Sequence, residues 1–166
     1  MITFTVYGKP EPAGSKKSLV PLNRHGQPYR RQNGGVVVST VDTNKNAKGW
    51  KAIVSLEARK AMLDAGLHEL LSGPISFRLA FFVQRPKSHY GTGRNAGQLK
   101  ASAPKYPTVK PDVLKMARGV EDALTKVVWH DDSQIVRESL GKDYGEPRVE
   151  IEIEELQPAE GARGKD

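Results

Sequence analysis

Lys110-Pro111-Asp112-Val113-Leu114-Lys115-Met116-Ala117-Arg118-Gly119-Val120-Glu121-Asp122-Ala123-Leu124, then Trp129-His130-Asp131-Asp132-Ser133-Gln134-Ile135-Val136 after a four-residue connection, reads as a helix leading into a strand. Val113, Ala117, Val120 and Leu124 recur at helical spacing and form one apolar stripe. Pro111 suits the first helical position, where its missing N–H costs nothing. Ile135 and Val136 begin a short strand, so acidic residues stand at both ends of the helix: Asp112 before it, Asp131 and Asp132 beyond it.

Upstream, Ile75, Phe77, Leu79, Phe81 and Val83 alternate with Ser76, Arg78, Ala80, Phe82 and Gln84, the period of a long strand. Trp50, Val54, Ala58, Ala61 and Ala65 give an amphipathic helix between Asn44 or Asn46 as cap and Gly66 as terminator, with Trp50 in the core. Ile2, Phe4 and Val6 open the chain as a strand that Gly8-Lys9-Pro10 breaks, and Val36 to Val41 reads as a short strand inside a polar loop. Val149, Ile151 and Ile153 alternate with Glu150, Glu152 and Glu154 in the closing strand. These elements describe an α/β (α+β) single small domain over residues 1–156, a mixed sheet packed by two main helices, with 157–166 as an unstructured tail. No internal repeat is present.

The chain has 166 residues, room for one hydrophobic core, and carries a formal charge of +7 from 26 Lys+Arg against 19 Asp+Glu. Without cysteine there is no disulfide framework, thiolate metal site or cysteine nucleophile, so any metal must be held by oxygen or imidazole. The opening strand lacks the features of a signal peptide and no apolar run approaches a membrane span, so the expected location is the cytoplasm.

The positive charge is unevenly spread. Between Glu69 and Asp112 there is no acid, while Arg78, Arg85, Lys87, Arg94, Lys100, Lys105 and Lys110 supply seven cations. The first 41 residues set Lys9, Lys16, Lys17, Arg24, Arg30 and Arg31 against Glu11 alone. Two Gly/Pro-rich basic loops of this kind suit a phosphate backbone, the alternative being plain solvated loops. Gly91-Thr92-Gly93-Arg94-Asn95-Ala96 is set aside as a dinucleotide loop, because Ala replaces the third Gly and no helix follows. A phosphate-binding Gly-Lys-Ser/Thr loop and a His-Glu-x-x-His zinc motif are both absent. From spacing alone, Asp112, Asp131 and Asp132 fit equally as ion-pair partners of neighbouring cations or as oxygen ligands of a hard cation such as Mg²⁺.

Lys110-Pro111-Asp112 through Asp122-Ala123-Leu124, with Trp129-x-Asp131-Asp132-Ser133-Gln134-Ile135-Val136, resembles the RusA family of Holliday-junction resolvases. The resemblance is good over residues 108–136 and looser at the opening strand, at the strand from Ile75 and at the closing strand. It implies a RusA-like, Mg²⁺-dependent homodimer that resolves branched DNA, the four-way junction, by paired nicks. By position, Asp112 and Asp132 match the family's acidic metal ligands, and Asp131 is the adjacent acid. Arg118 stands where the family has its catalytic Lys. The family pattern Lys-Pro-Asp-x-Asp-Asn-Leu-x-Lys is broken at Leu114, which takes the place of the second acid.

The resemblance therefore implies catalytic Asp112, Asp132 and Arg118. It also implies Mg²⁺ held by Asp112, Asp132 and Asp131 near the N-terminal end of the Pro111 helix, with Lys115 and Arg118 facing phosphate. DNA contacts are assigned to Lys16, Lys17, Arg85, Lys87, Arg94, Lys110 and Lys115. Asp122, about 15 Å along the helix from Asp112, is too far to share its ion and reads as an ion-pair partner of Arg118 or Lys126. Glu121, nine residues on, turns to the side opposite Asp112. His130 reads as a surface histidine beside a turn. The competing readings are a non-catalytic branched-DNA binder with a degenerate site, signalled by Leu114, and a small basic RNA-binding protein, which leaves the paired acids idle.

Overall fold

A computed structural model describes residues 1–14, 16–42 and 44–157. Its elements are β1 (Ile2–Tyr7), β2 (Lys16–Leu19), β3 (Ser39–Asp42), α1 (Ala47–Asp64), β4 (Ile75–Val83), α2 (Val113–Leu124), β5 (Ile135–Tyr144) and β6 (Arg148–Glu155). Residues 158–166 of the expected tail lie outside the described residues. β2 and β3 form a separate antiparallel ribbon.

The main sheet has the order β1-β6-β4-β5, with β6 antiparallel to both neighbours and β4 parallel to β5. It is a mixed four-stranded sheet carrying two helices, an α+β single domain. Alternation sorts its two faces. Ile75, Phe77, Leu79 and Phe81 of β4, Val149, Ile151 and Ile153 of β6, and Ile2 and Val6 of β1 are buried under the helices. The opposite row carries Ser76, Arg78, Glu150, Glu152 and Glu154, with Arg78 set 3.6 Å from Glu152.

α1 buries Trp50, Val54, Ala58 and Met62 at intervals of four, and α2 buries Met116, Ala117, Val120, Ala123 and Leu124. Trp129, fully buried, packs edge-on against Phe77 at 5.3 Å. The helices are tied by Lys51 to Asp122 at 2.6 Å and by the Ser55 hydroxyl donating to the Ala123 carbonyl at 2.7 Å. Asp122 thus pairs with Lys51 across the helix interface and not with Arg118 or Lys126 on its own helix. Gly119 lets the segment after β1 close over α2, since a Cβ there would lie 3.2 Å from the Glu11 carbonyl oxygen.

Four boundaries differ from the sequence reading. Asp112 is extended (ψ 136°), so α2 starts at Val113 and Pro111 precedes the cap instead of opening the helix. β3 begins at Ser39, because Val36 pairs with Arg30 in an isolated bridge of the preceding turn. Asn46 stands at the α1 cap, but its side chain makes no cap bond; Asn44 Oδ1 instead accepts the Asn46 N–H at 3.0 Å. β5 runs ten residues, well past Val136, because it pairs with β4 along its length. Its inward row is Glu138, Leu140, Lys142 and Tyr144, opposite Phe77, Leu79, Phe81 and Val83. Two charged residues in that row hide the strand's alternation from the sequence.

The turn before β5 hangs on one side chain. Gln134 Oε1 accepts from the N–H groups of His130 and Asp131 at 2.8 and 3.0 Å, and its Nε2 donates to the carbonyls of Leu71 and Gly73 at 3.0 and 3.1 Å. We expect Gln134→Ala to destabilise the fold by about 1–3 kcal/mol, since it strands part-buried backbone groups. Denaturant melts against the parent check this, and a loss below about 0.5 kcal/mol would show that water replaces the amide.

Candidate active site

α2 presents one unburied face through Leu114, Arg118 and Glu121, spaced i, i+4 and i+7. Leu114 is 69% exposed and Arg118 is exposed, while Glu121 is half-buried. Across from Glu121 stands Glu138, from the inward row of β5. A register irregularity beside Ile75 leaves Val136 as an extra residue in β5, and such bulges re-aim the side chains that follow. Together with Asp132, Ser133 and Arg137, these two glutamates line an open cleft of about 460 Å³.

Crowded carboxylates cannot all ionise freely. Burial pushes Glu121 up from 4.5 to about 7, helped by a hydrogen bond with Glu138 and by the negative charges of Glu138, Asp122 and Asp132. Glu121 therefore keeps its proton toward neutrality beside Glu138. Two cations adjoin them with no ion pair or hydrogen bond among the described residues: Arg118, one turn before Glu121, and Arg137 on the cleft wall. The arrangement combines surplus negative charge with uncommitted guanidinium groups, the combination used to hold a hard cation against a phosphate.

The structure distributes the acids read from the sequence over different roles. Asp132 lines the cleft and its charge bears on Glu121. Asp131 caps the turn, its Oδ1 accepting the Ser133 N–H at 3.0 Å, and the Ser133 hydrogen bonds hold its carboxyl below the usual carboxylate range. Asp112 is the α2 cap residue, makes no cap bond, lies 3.9 Å from Lys115 and does not line the cleft. Among the described residues no three acids or histidines gather closely enough to form a ready metal cage. Of the expected group Asp112, Asp131 and Asp132, the cleft takes in Asp132, together with Glu121 and Glu138. Glu121, nine residues after Asp112 and turned away from it, faces Asp132 and Glu138 instead. Its spacing from Leu114 and Arg118 is the signal that places it.

The cations of the two basic segments also divide. Lys87, Arg94 and Lys110 are exposed and have no acid partner among the described residues, and Lys17 is exposed on β2. The Lys16 side chain lies outside the described residues. Arg85 is built into the loop: its Nη1 donates to the Pro104 carbonyl at 2.8 Å, and its guanidinium lies 4.0 Å from the centre of the Tyr144 ring. Lys100 is likewise spent on the Ser88 carbonyl at 2.8 Å. Residues 85–109 thus form a braced loop, closed by a Tyr90–Leu99 bridge. His130 is exposed and contacts Gln134 through its backbone.

The raised Glu121 pKa makes stability depend on pH. Its folded value exceeds its unfolded one, so its contribution is complete below about 4.5 and is lost as pH rises through about 7. We expect the metal-free protein to be less stable at pH 8 than at pH 5 by on the order of 1–2 kcal/mol from this group, after discounting for its partial exposure. Glu121→Gln should flatten that slope and raise the melting temperature at pH 8 in chelator. Parallel pH profiles for parent and variant would show that Glu121 does not carry the pH dependence.

Comparison with known proteins agrees with this architecture. The chain is 32% identical over 159 residues to YqaN, an uncharacterized protein of Bacillus subtilis (strain 168), covering 93% of this chain and 96% of that protein. The profile of endodeoxyribonuclease RusA matches residues 20–154, which takes in both helices, β4, β5 and nearly all of β6. On that match, the chain belongs to the RusA endodeoxyribonuclease family.

Proposed function

We propose that this protein is a Mg²⁺-dependent endodeoxyribonuclease that resolves four-way and other branched DNA by paired nicks, acting as a homodimer whose two-fold axis matches that of the junction. The observation that carries the reading is the cleft between α2 and β5, lined by Glu121, Asp132 and Glu138 and flanked by the uncommitted Arg118. An all-oxygen, surplus-anion donor set fits a hard divalent cation. Asp132 and the Glu121–Glu138 pair would hold it, with Asp112 keeping the family's first acidic position. When bound, Mg²⁺ supplies Lewis-acid polarisation of a phosphate oxygen and activation of water.

The protein's own groups do the remaining work. Arg118 offers a planar, permanently charged donor to the phosphoryl oxygens as charge develops on them. Glu121, protonated up to about pH 7 in the metal-free fold, must release that proton to serve as an oxygen ligand. Asp131, by capping the turn at Ser133, fixes where Asp132 stands. Lys87, Arg94, Lys110, Lys115 and Lys17 hold the DNA backbone without reading bases. The protein works in the cytoplasm, where its DNA is; no helix among the described residues is long and apolar enough to cross a membrane. Leu114 favours one second reading, a branched-DNA binder of low activity, because a largely exposed apolar side chain replaces an acid on the working face.

The test is nicking of an immobile four-way junction with and without Mg²⁺. We expect metal-dependent paired nicks. Asp132→Asn should abolish them with junction binding kept, Asp112→Asn should impair them, and Arg118→Ala should slow them by about 10²–10³-fold. Leu114→Asp should lower the Mg²⁺ needed for half-maximal rate. Parental nicking by Asp132→Asn sinks the site assignment, and binding without any nicking leaves the binder reading standing.

Junction binding should also weaken steeply with salt, because each neutralised phosphate releases counterions. Changing Lys87 and Arg94 together to Ala should shallow the log–log salt slope by about 1–2. A slope unchanged by that double substitution would move the backbone contacts elsewhere.

A further inference from the structure

At the opposite end of β5 from the acidic cleft lies a second cavity, of about 300 Å³, that the reading above leaves unused. Val83, Val109 and Tyr144 line it together with Pro10, Pro86, Pro107, Pro111 and Pro147. The cations Lys9, Lys110 and Lys142 complete its walls with Gln84, and no carboxylate takes part. Both sides are fixed in place. Lys142 Nζ donates to the carbonyls of Val109 and Pro111 at 2.8 and 3.0 Å, and the Gly8 N–H donates to the Pro147 carbonyl at 2.9 Å. Tyr144 is the partition: Arg85 stacks on its ring and lines the neighbouring cleft, but does not enter this cavity.

We propose that this cavity receives one unstacked nucleobase of the bound DNA, an inference that rests on the nucleic-acid reading above. The volume, at the small end of ligand clefts, suits one ring system. Prolines, valines and a tyrosine offer a flat apolar group what a base loses on leaving its stack. Lys110, exposed and without an acid partner among the described residues, and Lys9, 78% exposed beside Glu11, stand where the flanking phosphates would pass. An acid-free stretch from Leu70 to Pro111 supplies most of the wall, so charge favours a polyanion over an acidic peptide. Prolines have no N–H to donate, and Gln84 and the Tyr144 hydroxyl are the only uncharged polar side-chain groups. The site therefore holds a base with little preference among the four. Lys142, its ammonium engaged with two carbonyls, is a positioning residue for the wall.

The test compares two duplexes of equal charge, each with one bulged nucleotide, one bearing a base and the other an abasic spacer. The full-length parent should bind the base-bearing bulge about tenfold more tightly, within the range a single stacked base supplies. Val109→Trp, a neutral change at a position 63% exposed, should fill the cavity and erase that difference while binding to the abasic duplex is kept. A 2-aminopurine bulge should change its fluorescence on saturation with the parent and not with Val109→Trp. If the parent binds both bulges equally but still binds junctions with strong salt dependence, the cavity is not a base site and the nuclease reading survives. If the parent binds no DNA at low salt, both fall. Discrimination retained by Val109→Trp would also overturn the assignment.

Discussion

The parallel pairing of β4 with β5 is the constraint on which the rest of the molecule depends. Parallel neighbours cannot be joined by a tight turn, so the chain must leave one end of the sheet and return to the other. Here it does so through residues 84–112 and then α2, spending the basic loop at one end and delivering the acidic turn at the other. Because β5 is an edge strand, its inward row is only partly covered by α2, and that partial cover is what allows Glu138 and Lys142 to face the helix side at all. A central strand would have demanded apolar residues at both positions. The acidic cleft and the proline-lined cavity are thus the two ends of one structural fact.

Charge follows the same axis. Lys142 meets the segment before α2, and Glu138 meets Glu121 in its third turn, so strand and helix run past each other in opposite directions. Among the described residues none of the cations of the 85–110 crossover has an acid partner, while the outer sheet face pairs its arginine with glutamate. That connection is one acid-free basic surface among the unpaired cations of the chain, and a pI of about 9.6 suits a polyanionic partner.

Sequence patterning made the architecture readable where the solvent does the sorting. β4 and the closing strand alternate cleanly because one sheet face is covered and the other is wet, and both helices show stripes at intervals of three and four. The family was legible from residues 108–136, where the turn chemistry of Asp131, Ser133 and Gln134 is local. The site was less so. Glu121 and Glu138 are 17 residues apart and meet only through the β4–β5 register and a bulge at Val136, neither of which leaves a local trace. The helix start is hidden for a similar reason: Pro111 is permissible at the first helical position, but Asp112 is extended.

On the proposed reading Leu114 and Glu121 are linked, because both lie on the unburied face of α2. An acid at position 114 would lie on the same helical face as Arg118 and Glu121, two turns before the latter. Leaving an exposed leucine there removes negative charge from the first turn of α2, where Asp112 is already balanced by Lys115. Placing a glutamate at 121 adds charge where Asp132 and Glu138 already repel it, and the cost is visible in a carboxyl that holds its proton to about pH 7. Such a cluster is unfavourable in the metal-free fold and is relieved by anything positive that enters it. On that reading the acids beside the α2 face lie toward β5 and not in its first turn, and Arg118, between positions 114 and 121, stands next to them. A leucine at 114 is then compatible with a charged working face, because Glu121 offers a carboxyl two turns further along it.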